Sequence, residues 1–210
     1  MRPKAAARAA VLTAIALLAA ACAGPPDGPV ESVRTRTPTA LERAALTAHD
    51  VPGYEISGAA SPDDTRGAPR ADRAACAPLA EVMGEAPDDR ARATVSRGLG
   101  SRRSPGLAVS ASLSAYAPPD AGHLMDGLRA AYRDVRPVPY EVQGDESVSW
   151  AASVLAQGAP APVHIVVVRR GATIVRFMAI NLSGKAPPDF SVPHDIADRQ
   201  LAKLIRTTED

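Results

Sequence analysis

The chain of 210 residues has only two cysteines, so it cannot be a disulfide-rich scaffold. It also has few aromatic residues, namely one Trp, four Tyr and two Phe, and aliphatic side chains must therefore form most of its core. Basic and acidic residues number 24 and 23, which excludes the strong positive charge typical of a nucleic-acid-binding domain. We expect no nucleic acid among its partners.

The first 21 residues have the pattern of an export signal. Arg2, Lys4 and Arg8 give a positive start, and residues 9–21 form an apolar run too short to span a bilayer core of about 30 Å. The run leads directly into Cys22, which resembles the lipid-attachment cysteine of a bacterial lipobox. The usual form has Leu, Val or Ile three residues earlier, where this chain has Ala19.

We therefore predict a lipoprotein whose signal peptide, residues 1–21, is removed and whose Cys22 carries lipid such as palmitate. Acyl chains on one cysteine would anchor the protein stably at the extracytoplasmic face of the cell membrane. The alternative is cleavage by ordinary signal peptidase, which would leave a secreted chain. In either case the mature chain would have 21 basic and 23 acidic residues, because three of the basic residues lie in the signal.

Residues 22–38 are predicted to be the lipidated cysteine and a disordered tether, because this stretch is rich in Pro, Gly, Ser and Thr. Residues 39–208 are predicted to form one folded domain. Its first helix is expected over residues 40–48, with Thr39 and Glu42 at capping-box spacing. A short strand at residues 54–56 and a second helix over residues 76–83 follow.

Alternating apolar and polar residues predict strands over residues 107–116 and 147–154, and a weaker strand over residues 92–99. Apolar residues at helical spacing predict a long helix between residues 121 and 135. Residues 163–169 and 173–181 are almost continuously apolar and are joined at Arg170-Gly171, so we predict a hairpin at the centre of the sheet. Residues 140–142 are a candidate edge strand, and residues 193–205 a final helix.

This order predicts an α+β fold, a single domain in which a mainly antiparallel β-sheet packs against helices on one face. In that arrangement Ser110, Ser112 and Ser114 would form the solvent face of their strand.

Four short segments, in this order and spacing, resemble a known family. They are Leu46-Thr47 followed by Asp50-Val51-Pro52-Gly53-Tyr54, then Ala75-Cys76-Ala77-Pro78-Leu79, Gly144-Asp145-Glu146, and Asp198-Arg199-Gln200-Leu201-Ala202-Lys203-Leu204. Together they look like actinobacterial lipoproteins similar to the extracytoplasmic sensor domain of PknH-type receptor kinases. A second family, small actinobacterial lipoproteins with a PsbP-like sheet, has a similar order of elements.

The first resemblance implies an antiparallel sheet flanked by helices, a cleft for an unidentified ligand, and no catalytic residues to carry over. Members of that family often pair a cysteine in the second helix with one at the end of the long helix. Here the end of the long helix reads Ala130-Ala131-Tyr132-Arg133, so Cys76 has no such partner. Its apolar neighbours predict a buried thiol.

The sequence contains no recognisable catalytic, metal or cofactor motif. His49, His123, His164 and His194 do not stand at metal-ligand spacing and are expected to be solvated or hydrogen-bonded. Five arginines between residues 90 and 103 could contact anionic lipid headgroups or wall polymers, although a solvated loop is the simpler interpretation.

Two functions of different class remain open. One is a lipid-anchored ligand-binding or sensor module with a small ligand between the sheet and the long helix. The other is a non-enzymatic module that binds a protein of the cell envelope. An apolar cavity with a few converging polar groups would favour the first, and an exposed apolar patch the second.

Overall fold

A computed structural model describes residues 35–58, 70–84, 88–133, 135, 137–156, 158–183, 187 and 189–209. The predicted signal peptide, Cys22 and all of the tether before residue 35 lie outside the described residues. No helix among the described residues is long and apolar enough to cross a membrane.

The described chain forms an α+β fold, as predicted: one six-stranded antiparallel sheet and four α-helices. The strands lie in the order β1-β2-β3-β6-β5-β4. Their bounds are β1 Tyr54–Gly58, β2 Ala93–Ser101, β3 Leu107–Ala115, β4 Glu146–Ala156, β5 Ala159–Arg170 and β6 Thr173–Asn181. The helices are α1 Pro38–Ala44, α2 Ala77–Val82, α3 Pro118–Tyr132 and α4 His194–Glu209, with one turn of 3-10 helix, Ala74–Cys76, before α2.

The sheet is covered on both faces, which corrects the prediction of helices on one face. Val166 and Val168 of β5 pack into the same apolar cluster as Leu41 of α1 and Leu204 of α4. Val167, which lies between them, points to the other face and joins the cluster of α2 and α3. Because successive side chains alternate between faces, a strand buried on both faces is apolar throughout.

The apolar hairpin is formed by β5 and β6, with β6 at the centre of the sheet beside β3. Gly171 occupies the turn with a φ of 58°, a left-handed conformation that glycine adopts at little cost. The side chain of Asp145 fixes this turn by accepting hydrogen bonds from Gly171 N–H at 2.7 Å and from Arg170 at 2.8 Å. The Gly144-Asp145-Glu146 segment therefore supports the central hairpin.

Two local predictions were wrong. The first helix is capped by Thr37, not Thr39, and the Thr37 hydroxyl accepts a hydrogen bond from Ala40 N–H at 3.2 Å. Pro38 explains the shift because proline is favoured at the first helical position, where no amide hydrogen is needed. Residues 140–142 form no strand, and the segment before them makes only an isolated bridge between Pro137 and Trp150.

Candidate functional site

A cleft of about 680 Å³ opens between the sheet and the helices α2 and α3. We call it the α2–α3 cleft. The strands supply its floor: Thr94 from β2, Ser112 and Ser114 from β3, and Ile174 and Arg176 from β6. Its walls and mouth are formed by Pro78, Glu81, Val82, Asp88, Asp89, Arg90, Tyr116, His123, Leu124, Gly127 and Leu128.

Strand register brings the polar floor together. Ser114 lies directly opposite Thr94 of β2 and Ile174 of β6, and Ser112 lies opposite Arg176. The hydroxyls of Thr94 and Ser114 are 2.9 Å apart and share a hydrogen bond. Residues in these rows project from one face of the sheet, so the polar side chains converge beneath the two helices.

Ser112 is buried at 5% exposure, yet no hydrogen bond to its hydroxyl is found among the described residues. The expectation that Ser110, Ser112 and Ser114 form a solvent-facing strand surface is therefore wrong. Alternating polarity shows that one side of a strand is not part of the apolar core, but it does not distinguish bulk water from a covered cavity. The Ser112 hydroxyl opens into the cleft and is free to hydrogen-bond a molecule there.

Arg176 links the floor of the cleft to one of its walls. Its Nη1 donates a hydrogen bond to the carbonyl oxygen of Val82 at 2.6 Å and another to the carbonyl oxygen of Gly84. Val82 is the last residue of α2, where helix carbonyls lack partners within the helix and the helix dipole favours a positive charge. Sequence reasoning missed this residue, although an arginine inside an otherwise apolar central strand was a usable signal.

The mouth of the cleft has more acidic than basic side chains. Asp88 and Arg90 form an ion pair at 2.8 Å, and the hydrogen bond from Arg90 lowers the pKa of the Asp88 carboxyl. Glu81 and Asp89 are exposed and form no ion pair with any other described residue. Burial, with a smaller effect of the Asp88 charge, raises the pKa of Tyr116 to about 12, so its hydroxyl stays protonated at neutral pH.

The arginines grouped in the sequence are separated in the structure. Besides Arg90 with Asp88, Arg97 pairs with Glu42 and Arg102 with Glu55. Acidic partners therefore neutralise three of the five side chains, which weakens the hypothesis of a basic surface for anionic lipid.

Among the described residues, Ser149 and His164 form an arrangement that resembles a nucleophile and its base, with Oγ and Nε2 at 2.9 Å. Both are buried on the sheet face opposite the cleft. Val192 N–H donates to His164 Nδ1 at 2.9 Å, so Nδ1 has no hydrogen in the neutral ring and Nε2 donates to Ser149. A general base must accept the proton of the serine hydroxyl, and His164 in this tautomer cannot. Its two hydrogen bonds instead connect β5 to Ser149 of β4 and to Val192, which precedes α4.

Cys76 is a buried thiol, as expected, with 8% of its surface exposed. His164 is hydrogen-bonded, and the other three histidines are exposed, with His194 stacked on Tyr140 at 4.2 Å between ring centroids. His123 lies at the edge of the α2–α3 cleft. In the described part of the chain, no three His, Cys, Asp or Glu side chains are grouped closely enough to hold a metal ion.

Comparison with known proteins leaves the family open. No protein-family model matches the sequence. No curated protein matches it either. Among solved structures, one similar chain is an uncharacterised protein of Mycobacterium smegmatis, the Rv0999 ortholog, with 12% identity and a TM-score of 0.37 over 81% of this chain and 97% of that one. Similarity at this level assigns neither a family nor a function.

Proposed function

We propose that this protein is a lipid-anchored, extracytoplasmic module of the cell envelope that binds a small ligand in the α2–α3 cleft. The observation that carries the proposal is the hydroxyl of Ser112, which opens into the cleft from a residue only 5% exposed and has no hydrogen-bond partner among the described residues. A hydroxyl that faces a covered cleft and is not used by the protein is available to hydrogen-bond a water or a ligand there.

The size and lining of the cleft support a small organic ligand. A volume of about 680 Å³ lies within the range of about 300–1,000 Å³ that is usual for such sites. Leu124, Leu128 and Ile174 provide an apolar surface, and the hydroxyls of the floor provide hydrogen bonds. The ligand would therefore combine an apolar body with a polar group that reaches Ser112.

The charges around the cleft favour a ligand that is neutral or positively charged near the mouth. The lining of the cleft contains three carboxylates, those of Glu81, Asp88 and Asp89, and two guanidinium groups, those of Arg90 and Arg176. Arg90 is engaged by Asp88, and Arg176 donates to backbone carbonyls. A ligand with an anionic group at the mouth would meet Glu81 and Asp89 and would be repelled.

The proposed location rests on the sequence of residues 1–22, and the proposed sensor role on the resemblance to the PknH-type sensor domain. We propose binding without catalysis because the sequence offers no catalytic motif to assign to the cleft. The protein-interaction alternative of the sequence analysis draws separate support from the exposed Leu155 of β4.

Two glycines of α3 allow a matched test. Gly127 lines the cleft and Gly122 does not, and an added Cβ would meet no atom within 4 Å at either position. Leucine is a better helix former than glycine by roughly 0.5–1 kcal/mol, so neither Gly127→Leu nor Gly122→Leu should unfold the helix. Only the first variant would place a side chain in the cleft.

The measurement is native mass spectrometry of the full chain extracted from its own membranes. We expect the wild type and Gly122→Leu to retain a small molecule that Gly127→Leu has lost. Equal retention by both variants, or no bound molecule in the wild type, would show that the cleft does not hold a ligand.

A further inference from the structure

The hairpin of β4 and β5 extends beyond the rest of the sheet. β6 pairs with β5 only from Val163 to Arg170. Pairing of β4 with β5 continues past that point, from Ser153 opposite Pro162 to Ala156 opposite Ala159. Residues 153–156 and 159–162 therefore form a two-stranded segment, here called the β4–β5 arm, with an open edge on each side.

Proline closes the β5 edge of this arm. The carbonyl oxygen of Arg169 accepts a hydrogen bond from Asp145 N–H at 2.9 Å, so odd-numbered residues of β5 direct their backbone groups toward β4. Even-numbered residues point the other way, because this direction alternates along an antiparallel strand. Pro160 and Pro162 hold two of those positions, and proline has no N–H to offer another strand.

The β4 edge has no such protection. The carbonyl oxygen of Ser149 accepts a hydrogen bond from Val138 N–H at 3.1 Å, so the odd-numbered residues of β4 point away from β5. Beyond Ser149 these are Ala151, Ser153 and Leu155, all exposed, and their backbone groups have no partner in the described part of the chain. Leu155 is 77% exposed.

Neither charge nor proline interrupts this edge. Residues 147–163 contain no Asp, Glu, Lys or Arg, and β4 contains no proline. Natural proteins usually protect an exposed edge strand with a charge, a proline, a bulge or a covering segment. Here two prolines protect one side of the arm, whereas the other side keeps a continuous row of backbone donors and acceptors.

We propose that residues 151–155 of β4 pair antiparallel with the same residues of a second copy of this chain, about a two-fold axis at Ser153. This register places Leu155 opposite Ala151 of the second copy, so that each exposed leucine lies beside a small side chain. A partner recognised by charge would find none on this edge, whereas two identical uncharged edges meet without repulsion.

The length of the free edge fits this register. Val138 and Pro137 cover the edge at Ser149 and Trp150, so an added strand cannot continue past Ala151. In the second copy, β4 ends at Ala156 and turns away toward β5. Pairing about Ser153 uses the whole free edge and stops where each copy's chain turns.

Cysteine crosslinking of the full chain in its own membranes tests the register. Opposed residues of a hydrogen-bonded antiparallel pair have Cα atoms about 5.5 Å apart, a distance that a disulfide can bridge. We expect Ser153→Cys to form a crosslinked species of twice the chain mass under mild oxidation. Ser57→Cys, exposed on the opposite edge strand β1, is the matched control and should not.

Charge at the same two positions tests the association without a crosslink. Ser153→Lys would bring two ammonium groups together at the axis and should raise the dimer dissociation constant by about tenfold or more in sedimentation velocity, whereas Ser57→Lys should leave it unchanged. The proposal is overturned if the wild type sediments as a monomer at every concentration reached. Equal crosslinking of the two cysteine variants, or a crosslink from Ser153→Cys to a different protein, would overturn it as well.

Discussion

Arg176 of β6 donates a hydrogen bond to the carbonyl oxygen of Val82 at 2.6 Å and so joins the floor of the α2–α3 cleft to the end of α2. The helix has six residues, too few for stability on its own, so contacts of this kind must hold it in place. The position of one cleft wall thus depends on a side chain of the central strand.

Replacing this arginine should weaken both the fold and the cleft. Arg176→Met keeps most of the apolar stem but removes the donors to Val82 and Gly84, and a hydrogen bond from a charged group contributes about 1.5–3 kcal/mol. We expect the free energy of unfolding in urea to fall by about 2 kcal/mol. Arg206→Met, on the exposed surface of α4, is the control and should change it by less than about 0.5 kcal/mol.

The buried His164 should make the fold sensitive to mild acid. Burial, with a smaller effect of the His194 charge, lowers the pKa of His164 to about 4 from the ordinary value of 6.5. Between these two pH values the unfolded chain binds a proton that the folded chain does not, so stability rises with pH across this window and falls on acidification. The full loss by pH 4 would be on the order of 3 kcal/mol.

Urea unfolding at a series of pH values from 4 to 7 measures this effect. His164→Gln should flatten the pH dependence, although it should also lower stability at pH 7 because the ring fills a core position. His49→Gln, at an exposed histidine, should leave the slope unchanged. If wild-type stability does not fall between pH 6.5 and 4, the buried ring does not resist protonation as inferred.

Membrane attachment is expected to depend on Cys22 alone. After removal of residues 1–21, the acyl chains on this cysteine would be the apolar anchor, and Cys22→Ala should therefore move the protein from the membrane pellet to the soluble fraction. Cys76→Ala is the control: it should stay in the pellet and cost on the order of 1 kcal/mol, because a buried thiol acts as a small apolar group. A Cys22→Ala protein that remains in the pellet would refute the lipoprotein prediction.

Sequence patterns predicted the strands well because the order of apolar and polar residues in a strand shows which of its faces are buried. Residues 107–116 alternate, residues 163–169 do not, and the structure places β3 and β5 accordingly. The patterns could not show that α2 and α3 cover the polar side of β3, since that depends on contacts between distant segments. The cleft was therefore predicted between sheet and long helix, but its serine floor was mistaken for a solvent surface.

Aspartate substitutions at Val167 and Ser112 compare a core position with the floor of the cleft. Val167 is fully buried beneath α3, so Val167→Asp would place an unpaired carboxylate in an apolar cluster at a cost of several kcal/mol, enough to unfold a domain with a typical stability of about 5–15 kcal/mol. On a solvent face, Ser112→Asp would change stability little. The structure instead places Ser112 in the cleft floor opposite Arg176, so the new carboxylate would be desolvated but would face a guanidinium group.

We expect Ser112→Asp to lie between these extremes in thermal unfolding. Desolvation raises the cost of the carboxylate, while attraction to Arg176 offsets part of it, so the domain should fold with a loss of about 1–3 kcal/mol. Ser57→Asp, exposed on β1, is the control for the same change in water. If Ser112→Asp melts at the temperature of Ser57→Asp, the floor is open to solvent and the cleft does not exclude water. If it melts as early as Val167→Asp, Arg176 gives the new carboxylate no compensation.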